Sequence, residues 1–231
     1  LLTQFSKEKE RIDEEIWVET GIKRGDSVLD IGLGNRPHSA VKLRDLGARV
    51  TVLEKNIETI GNNGELDLKI VQGDITSTDF CDNEFDYAVA YFVLHEIQEN
   101  RHLPAVKELM RVSKKTVIVE PTPGKDSVYT EYYGIFQDVQ KYRGGIENYR
   151  TINYWKSLVQ ETGGRIKRER VWRPVERIIG TEAEKFMEDM LNYLNNSGMP
   201  LEILERTEKL KLEMTGKGML FSEINLLIFV K

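Results

Sequence analysis

Val28-Leu29-Asp30-Ile31-Gly32-Leu33-Gly34 is a short apolar run that ends in an acid and two glycines. It reads as a strand stopping at a turn, where a residue without a Cβ lets the backbone approach a ligand closely. A helix expected over Pro37 to Leu46, closed by Gly47, follows it. The free N–H groups of that helix point back at the same place and attract an anion. The alternation continues outward. Arg49-Val50-Thr51-Val52-Leu53 and Leu68-Lys69-Ile70-Val71-Gln72 read as the second and third strands. Phe85 to Phe92 is nearly all apolar, as a strand buried on both faces should be. Leu103 to Val112 is helical, and Thr116-Val117-Ile118-Val119-Glu120 is a fifth strand stopped by Pro121 and Pro123.

Strands spaced by helices predict βαβ units and a doubly wound, mostly parallel α/β sheet with helices on both faces. Ligands on such sheets bind beyond the carboxyl ends of the strands. The positions to weigh are therefore Asp30 to Ser39, Glu54, Asp74, Tyr91 to Glu96 and Glu120 to Gly124. On the flanks, Ser6 to Thr20 reads as a charged helix with Ile12, Ile16 and Trp17 on one side, broken by Gly21 and Gly25. After Pro123 come an aromatic-rich helix from Tyr129 to Tyr142, a helix from Thr151 to Thr162 and a basic strand from Ile166 to Val175. Thr181 to Asn195 is expected as a helix opened by a capping box of Thr181 and Glu184. Pro200 suits the start of another helix, to about Met214. Glu223 to Val230 is the last strand.

With 231 residues and 40% hydrophobic residues, a single core is expected over 1–231, with an N-terminal helical cap at 1–24 and a helical insertion at 181–214. The net charge of −5 argues against a general binder of nucleic acid or anionic membrane. Cys81 is the single cysteine, which excludes an intramolecular disulfide and a cysteine-based zinc site. Only His38, His95 and His102 offer imidazoles, so no metal is expected. No apolar run approaches the roughly 20 residues of a membrane span, and the first residues lack a signal-peptide layout. A cytoplasmic location is the expectation.

Asp30-Ile31-Gly32-Leu33-Gly34, an acid ending strand two (Glu54), Gly73-Asp74-Ile75 after strand three, Phe85-Asp86-Tyr87-Ala88-Val89, and Leu94-His95-Glu96-Ile97 come in a fixed order. Together they resemble the class I S-adenosylmethionine-dependent methyltransferases, over roughly residues 10–175 and the last strand. The resemblance implies a seven-stranded sheet with an antiparallel last strand. It also implies that Gly32 and Gly34 pass the methionine part of S-adenosylmethionine, with Asp30 meeting its ammonium. Glu54, followed by Lys55, would take the ribose hydroxyls. Asp74 and Ile75 would hold the adenine edge, and Tyr91 would sit beside the sulfonium. One departure stands out: Arg36 occupies the family's third glycine position. A nicotinamide fingerprint fits less well, because its third glycine position is Pro37.

Methyl transfer to an activated sulfonium carbon asks mainly for alignment in a dry site. A general base is needed only when the acceptor must lose a proton. His95, Glu96 and Glu120 are the candidates. Tyr129, Tyr132 and Tyr133 could form an aromatic wall for a planar or cationic acceptor, or could pack on the sheet. The Arg165–Arg173 run could meet an anion or RNA, or protect a sheet edge. No Asn-Pro-Pro-Tyr-type motif is present, and Tyr91-Phe92-Val93 stands in its place. These features favour a small-molecule acceptor; the alternatives are a methyltransferase acting on protein or RNA and a non-catalytic nucleoside-binding or interaction domain of the same fold. The helical pair is left as a lid, a homodimer contact or core packing.

Overall fold

The computed structural model describes residues 3–34, 37–56, 58–59 and 68–231. The order of elements is α1 (Gln4–Thr20), β1 (Ser27–Ile31), α2 (His38–Asp45), β2 (Arg49–Glu54), β3 (Lys69–Gln72), β4 (Phe85–Tyr91), a 3-10 turn (Leu94–Glu96), α3 (Glu99–Val112), β5 (Ser113–Pro121), α4 (Ser127–Tyr142), α5 (Ile152–Glu161), β6 (Arg165–Trp172), α6 (Gly180–Asn196), α7 (Leu201–Lys217) and β7 (Ile224–Val230). The seven strands form one sheet in the order β3-β2-β1-β4-β5-β7-β6. Strands β1 to β5 are parallel, and β7 runs antiparallel between β5 and β6. This is the doubly wound, mostly parallel sheet with an antiparallel last strand that the sequence predicts.

Alternation along each strand sends neighbours to opposite faces. Leu29, Ala88 and Ile118 face Leu109 of α3 and Trp155 of α5. Val28, Val89 and Val117 face Ile16 and Trp17 of α1. A third cluster joins Ile135 of α4 to Met187 of α6 and Met214 of α7. The sheet reverses its winding between β1 and β4, and that crevice is where a ligand site belongs.

Two local expectations change. The capping box of Thr181 and Glu184 does not form. The helix starts at Gly180, its cap position is Ile179, and no side chain bonds there. Gly180 takes φ +62°, so the chain turns into the helix earlier than the Ser/Thr-x-x-Glu pattern implies. The basic strand β6 lies at the sheet edge and is held by α1. Arg168 and Arg170 pair with Glu19, and Trp172 Nε1 donates to Glu15 at 2.9 Å. Part of the charge run thus lies at a sheet edge and meets a neighbouring helix.

Candidate active site

A cavity of about 870 Å³ lies beyond the carboxyl ends of β1, β2 and β4. Its floor is the glycine turn. Gly32 has φ +80°, and a Cβ there would come within 3.0 Å of Val93 Cγ2. Only glycine fits that turn without strain. Beneath it Asp30 is fully buried. Its Oδ2 accepts from Ser39 Oγ at 2.7 Å, while Oδ1 has no side-chain partner among the described residues. Burial pushes the Asp30 carboxyl up to about 8.

Glu54 ends β2 and ties two turns together. Oε2 accepts from the Leu33 N–H at 2.7 Å and Oε1 from the Asn56 N–H at 2.7 Å. Each oxygen keeps a lone pair for a further donor. Asp74 lines the cavity with Lys55 and Ile75. Burial acts against its charge, but Arg101, Thr76 and Lys55 hold its carboxyl well below the usual range. Lys55 Nζ lies 3.2 Å away, and Arg101 makes a close ion pair.

Tyr91 closes one side. Its ring stacks on Trp17 at 5.2 Å and its hydroxyl donates to Asp13 Oδ1 at 3.1 Å. Burial and the Asp13 charge push the phenol far above its ordinary range. His38 Nε2 and Lys42 Nζ meet the same carboxylate at 2.7 and 3.2 Å. Burial would raise Asp13, but its contacts with His38 and Lys42 outweigh it and hold its carboxyl at about 2. The helix α1 is thus fastened to the cavity wall.

After Tyr91 the chain turns sharply at Phe92, which has φ +51°. That turn swings Val93 to Glu96 around Glu120 at the end of β5. Glu120 accepts from the Val93 and Leu94 N–H groups at 2.9 and 2.7 Å, and from His95 Nδ1 at 2.6 Å. His95 Nε2 faces Glu147 at 3.6 Å. Burial alone would lower the imidazole, but Glu120 and Glu147 outweigh it and raise it to about 9. An imidazolium that stays charged at neutral pH has no lone pair with which to take an acceptor's proton. Among the expected acid–base residues, Glu96 alone lines the cavity, and burial raises its carboxyl. His95 and Glu120 stand behind that wall. His102 supports it from α3, with Nε2 donating to the Leu94 carbonyl at 2.9 Å.

The aromatic segment goes elsewhere. Tyr129, Tyr132 and Tyr133 do not line the cavity. Tyr129 bonds Ser222 at 2.9 Å, Tyr132 packs on Phe186 and Phe221, and Tyr133 stacks on Tyr149 at 4.4 Å. The aromatic face of α4 serves the helical core. Asp86 also lies away from the cavity, where it accepts from the Ser27 N–H and Lys114. Arg36 lies outside the described residues. Sequence reasoning missed Asp13, Arg101, Arg143, Glu147 and Tyr193. The pair Gly144-Gly145 after α4 was the one local signal that a loop reaches this wall.

Residues 29–119 match the family model of the methyltransferase domain. That stretch, 91 of the 231 residues, is similar to a methyltransferase domain, and the fold is that of the class I S-adenosylmethionine-dependent methyltransferases. The cofactor that this likeness implies is S-adenosylmethionine. Solved structures agree in fold. A protein of Galdieria sulphuraria, provisionally assigned as a sarcosine dimethylglycine methyltransferase, superposes with a TM-score of 0.64 at 18% identity, covering 95% of this chain and 84% of that one. An S-adenosylmethionine-dependent methyltransferase of Archaeoglobus fulgidus gives 0.60 at 14% identity, covering 96% and 94%. The [4+2]-cyclase SpnF gives 0.63 at 15% identity, covering 98% and 82%. No curated protein is similar to the chain in sequence. The cavity fits that cofactor. Asp30 lies beneath the glycine turn with no side-chain partner for Oδ1 among the described residues, and the turn leaves room where a Cβ would crowd Val93.

Proposed function

We propose that this methyltransferase acts on a small molecule bound in the same cavity as the cofactor. The observation that carries the reading is the wall opposite the glycine turn. It is built by Gln140, Arg143, Ile146 and Tyr193, which follow the domain matched by the family. Arg143 Nη1 donates to the Tyr193 hydroxyl at 2.6 Å, and its guanidinium lies 4.9 Å over that ring. A cavity of about 870 Å³ shared between cofactor and acceptor leaves room for a metabolite-sized partner. Two of the β6 cations, Arg168 and Arg170, are engaged by Glu19 of α1, and the net charge of −5 favours a small acceptor over nucleic acid.

Bound S-adenosylmethionine supplies a methyl group already activated on a sulfonium. The chain's own task is to orient and dehydrate. Glu54 would take the ribose hydroxyls beside Lys55, and Ile75 with Asp74 would meet the adenine edge. Gly32 and Gly34 would pass the amino-acid end above Asp30. Tyr91 would present its ring to the sulfonium. Glu96 is the group placed to meet a polar acceptor or hold its proton.

Calorimetry tests the cofactor half. Glu54→Gln keeps one carbonyl acceptor and should weaken binding about tenfold, the worth of one hydrogen bond to a polar partner. Unchanged affinity in that variant overturns the assignment. For the acceptor, labelled methyl offered to a cell extract should appear in the low-molecular-mass fraction. Label in protein or RNA would overturn the small-molecule reading.

A further inference from the structure

Behind the Glu96 wall, three side chains converge. His95 Nε2 and carboxylate oxygens of Glu96 and Glu147 all lie within 4.8 Å of one another. His95 and Glu147 are buried, while Glu96 is exposed toward the cavity. We propose that these three residues bind a divalent first-row transition ion, which adds a metal to the acceptor side of the cavity. This rests on the cavity described above and goes beyond methyl transfer itself.

Spacing is the first argument. The 3.6 Å between His95 Nε2 and Glu147 Oε1 is beyond hydrogen-bonding reach. Two ligands each about 2.1 Å from one ion at a tetrahedral angle sit about 3.4 Å apart. The imidazole is also supported from behind. A metal-binding histidine characteristically gives its other ring N–H to a carboxylate, which fixes the ring and raises its donor strength. His95 Nδ1 does so to Glu120 at 2.6 Å, and Glu120 is itself fixed by the Val93 and Leu94 N–H groups. Tyr149 packs edge-to-face on His95 at 4.9 Å, and its hydroxyl reaches the Glu147 carboxylate. Third, Glu96, Glu120 and Glu147 surround a single imidazole, and an ion bound at Nε2 displaces the proton from that nitrogen to solvent while the carboxylates offset its charge. One nitrogen and two carboxylates suit Zn²⁺, Mn²⁺ or Fe²⁺ better than Mg²⁺, which prefers oxygen and water. Glu96 provides the entry path from the cavity. An ion there keeps open positions toward the acceptor, where it can polarise an oxygen or sulfur ligand.

The test is calorimetric titration of chelator-treated full chain with Zn²⁺ and with Mn²⁺, in the absence of S-adenosylmethionine. One equivalent should bind saturably. Affinity should fall at least tenfold in Glu147→Gln and in Glu96→Gln, and about 10–100-fold in Glu120→Gln, which acts through His95. Thermal melts show whether each variant is folded. Glu96 faces the cavity, so its variant reads the site even where a buried substitution unfolds the chain. No saturable binding up to about 1 mM, or equal binding by wild type and Glu96→Gln, overturns the proposal. S-adenosylmethionine affinity is measured on the same samples. Cofactor binding without metal binding sinks this inference alone, and metal binding without cofactor binding sinks the methyltransferase assignment alone.

Discussion

Asp30 is a carboxyl buried beneath the glycine turn at a cost in stability. Its carboxyl is fully buried, and Ser39 Oγ is its side-chain hydrogen-bond donor. The folded chain holds its proton up to about pH 8, against 3.8 for an ordinary aspartate. Between those values the folded state binds more protons than the unfolded one. Stability therefore falls as pH rises from about 4 to about 8 and is flat above, by up to about 1.4 kcal/mol per pH unit in the window. Asp30→Asn carries no titrating proton there and should remove that slope. Urea midpoints at several pH values check this, and parallel curves for wild type and variant would falsify it. At Gly32, an alanine must adopt φ +80° and crowd Val93. Gly32→Ala should cost about 1–3 kcal/mol in the same melts. Asp30, Gly32 and Glu54 were legible because strand ends and glycines are local signals. The partners of His95 were not. Glu120 and Glu147 come from distant parts of the chain, so only the folded sheet brings them to one imidazole.

At the scale of elements, α1 carries more than a cap. Glu8 is buried and accepts from the Val175 and Glu176 N–H groups at 3.0 and 2.9 Å. Glu8→Ala strands two backbone donors and should destabilise by about 1–3 kcal/mol. Lys114→Ala breaks an exposed pair with Asp86 at 2.8 Å and should cost about 0–1 kcal/mol. Equal losses in denaturant melts would show that α1 is not anchored as described. The sequence marked α1 through Ile12, Ile16 and Trp17, whose spacing makes one apolar side. It did not reveal what that side and its acids would meet, because β6 lies far along the chain. The capping box failed for a related reason. Thr181 and Glu184 match a local pattern, but where α6 begins depends on the turn at Gly180. The tyrosines of α4 were ambiguous from spacing alone, and the neighbouring helices α6 and α7 settled their direction.

Across the whole molecule, two parts meet at one cavity. The sheet supplies Glu54, Asp74 and Tyr91, and the later helices supply Arg143 and Tyr193. The strand order was legible because buried parallel strands read as continuous apolar runs; the helical wall was not, because no motif marks it. The position of β7 between β5 and β6 has one more consequence. All the strands that carry the cofactor motifs precede it in the chain. During synthesis, the hydrogen-bonding edge of β5, with Val117, Ile118 and Val119 along it, must wait for Ile224 to Val230. Until then it is an unfilled apolar edge, the kind that pairs with other chains. Those seven residues act as the molecule's clasp. A nascent or truncated chain without them carries a complete set of cofactor motifs and an open invitation to aggregate.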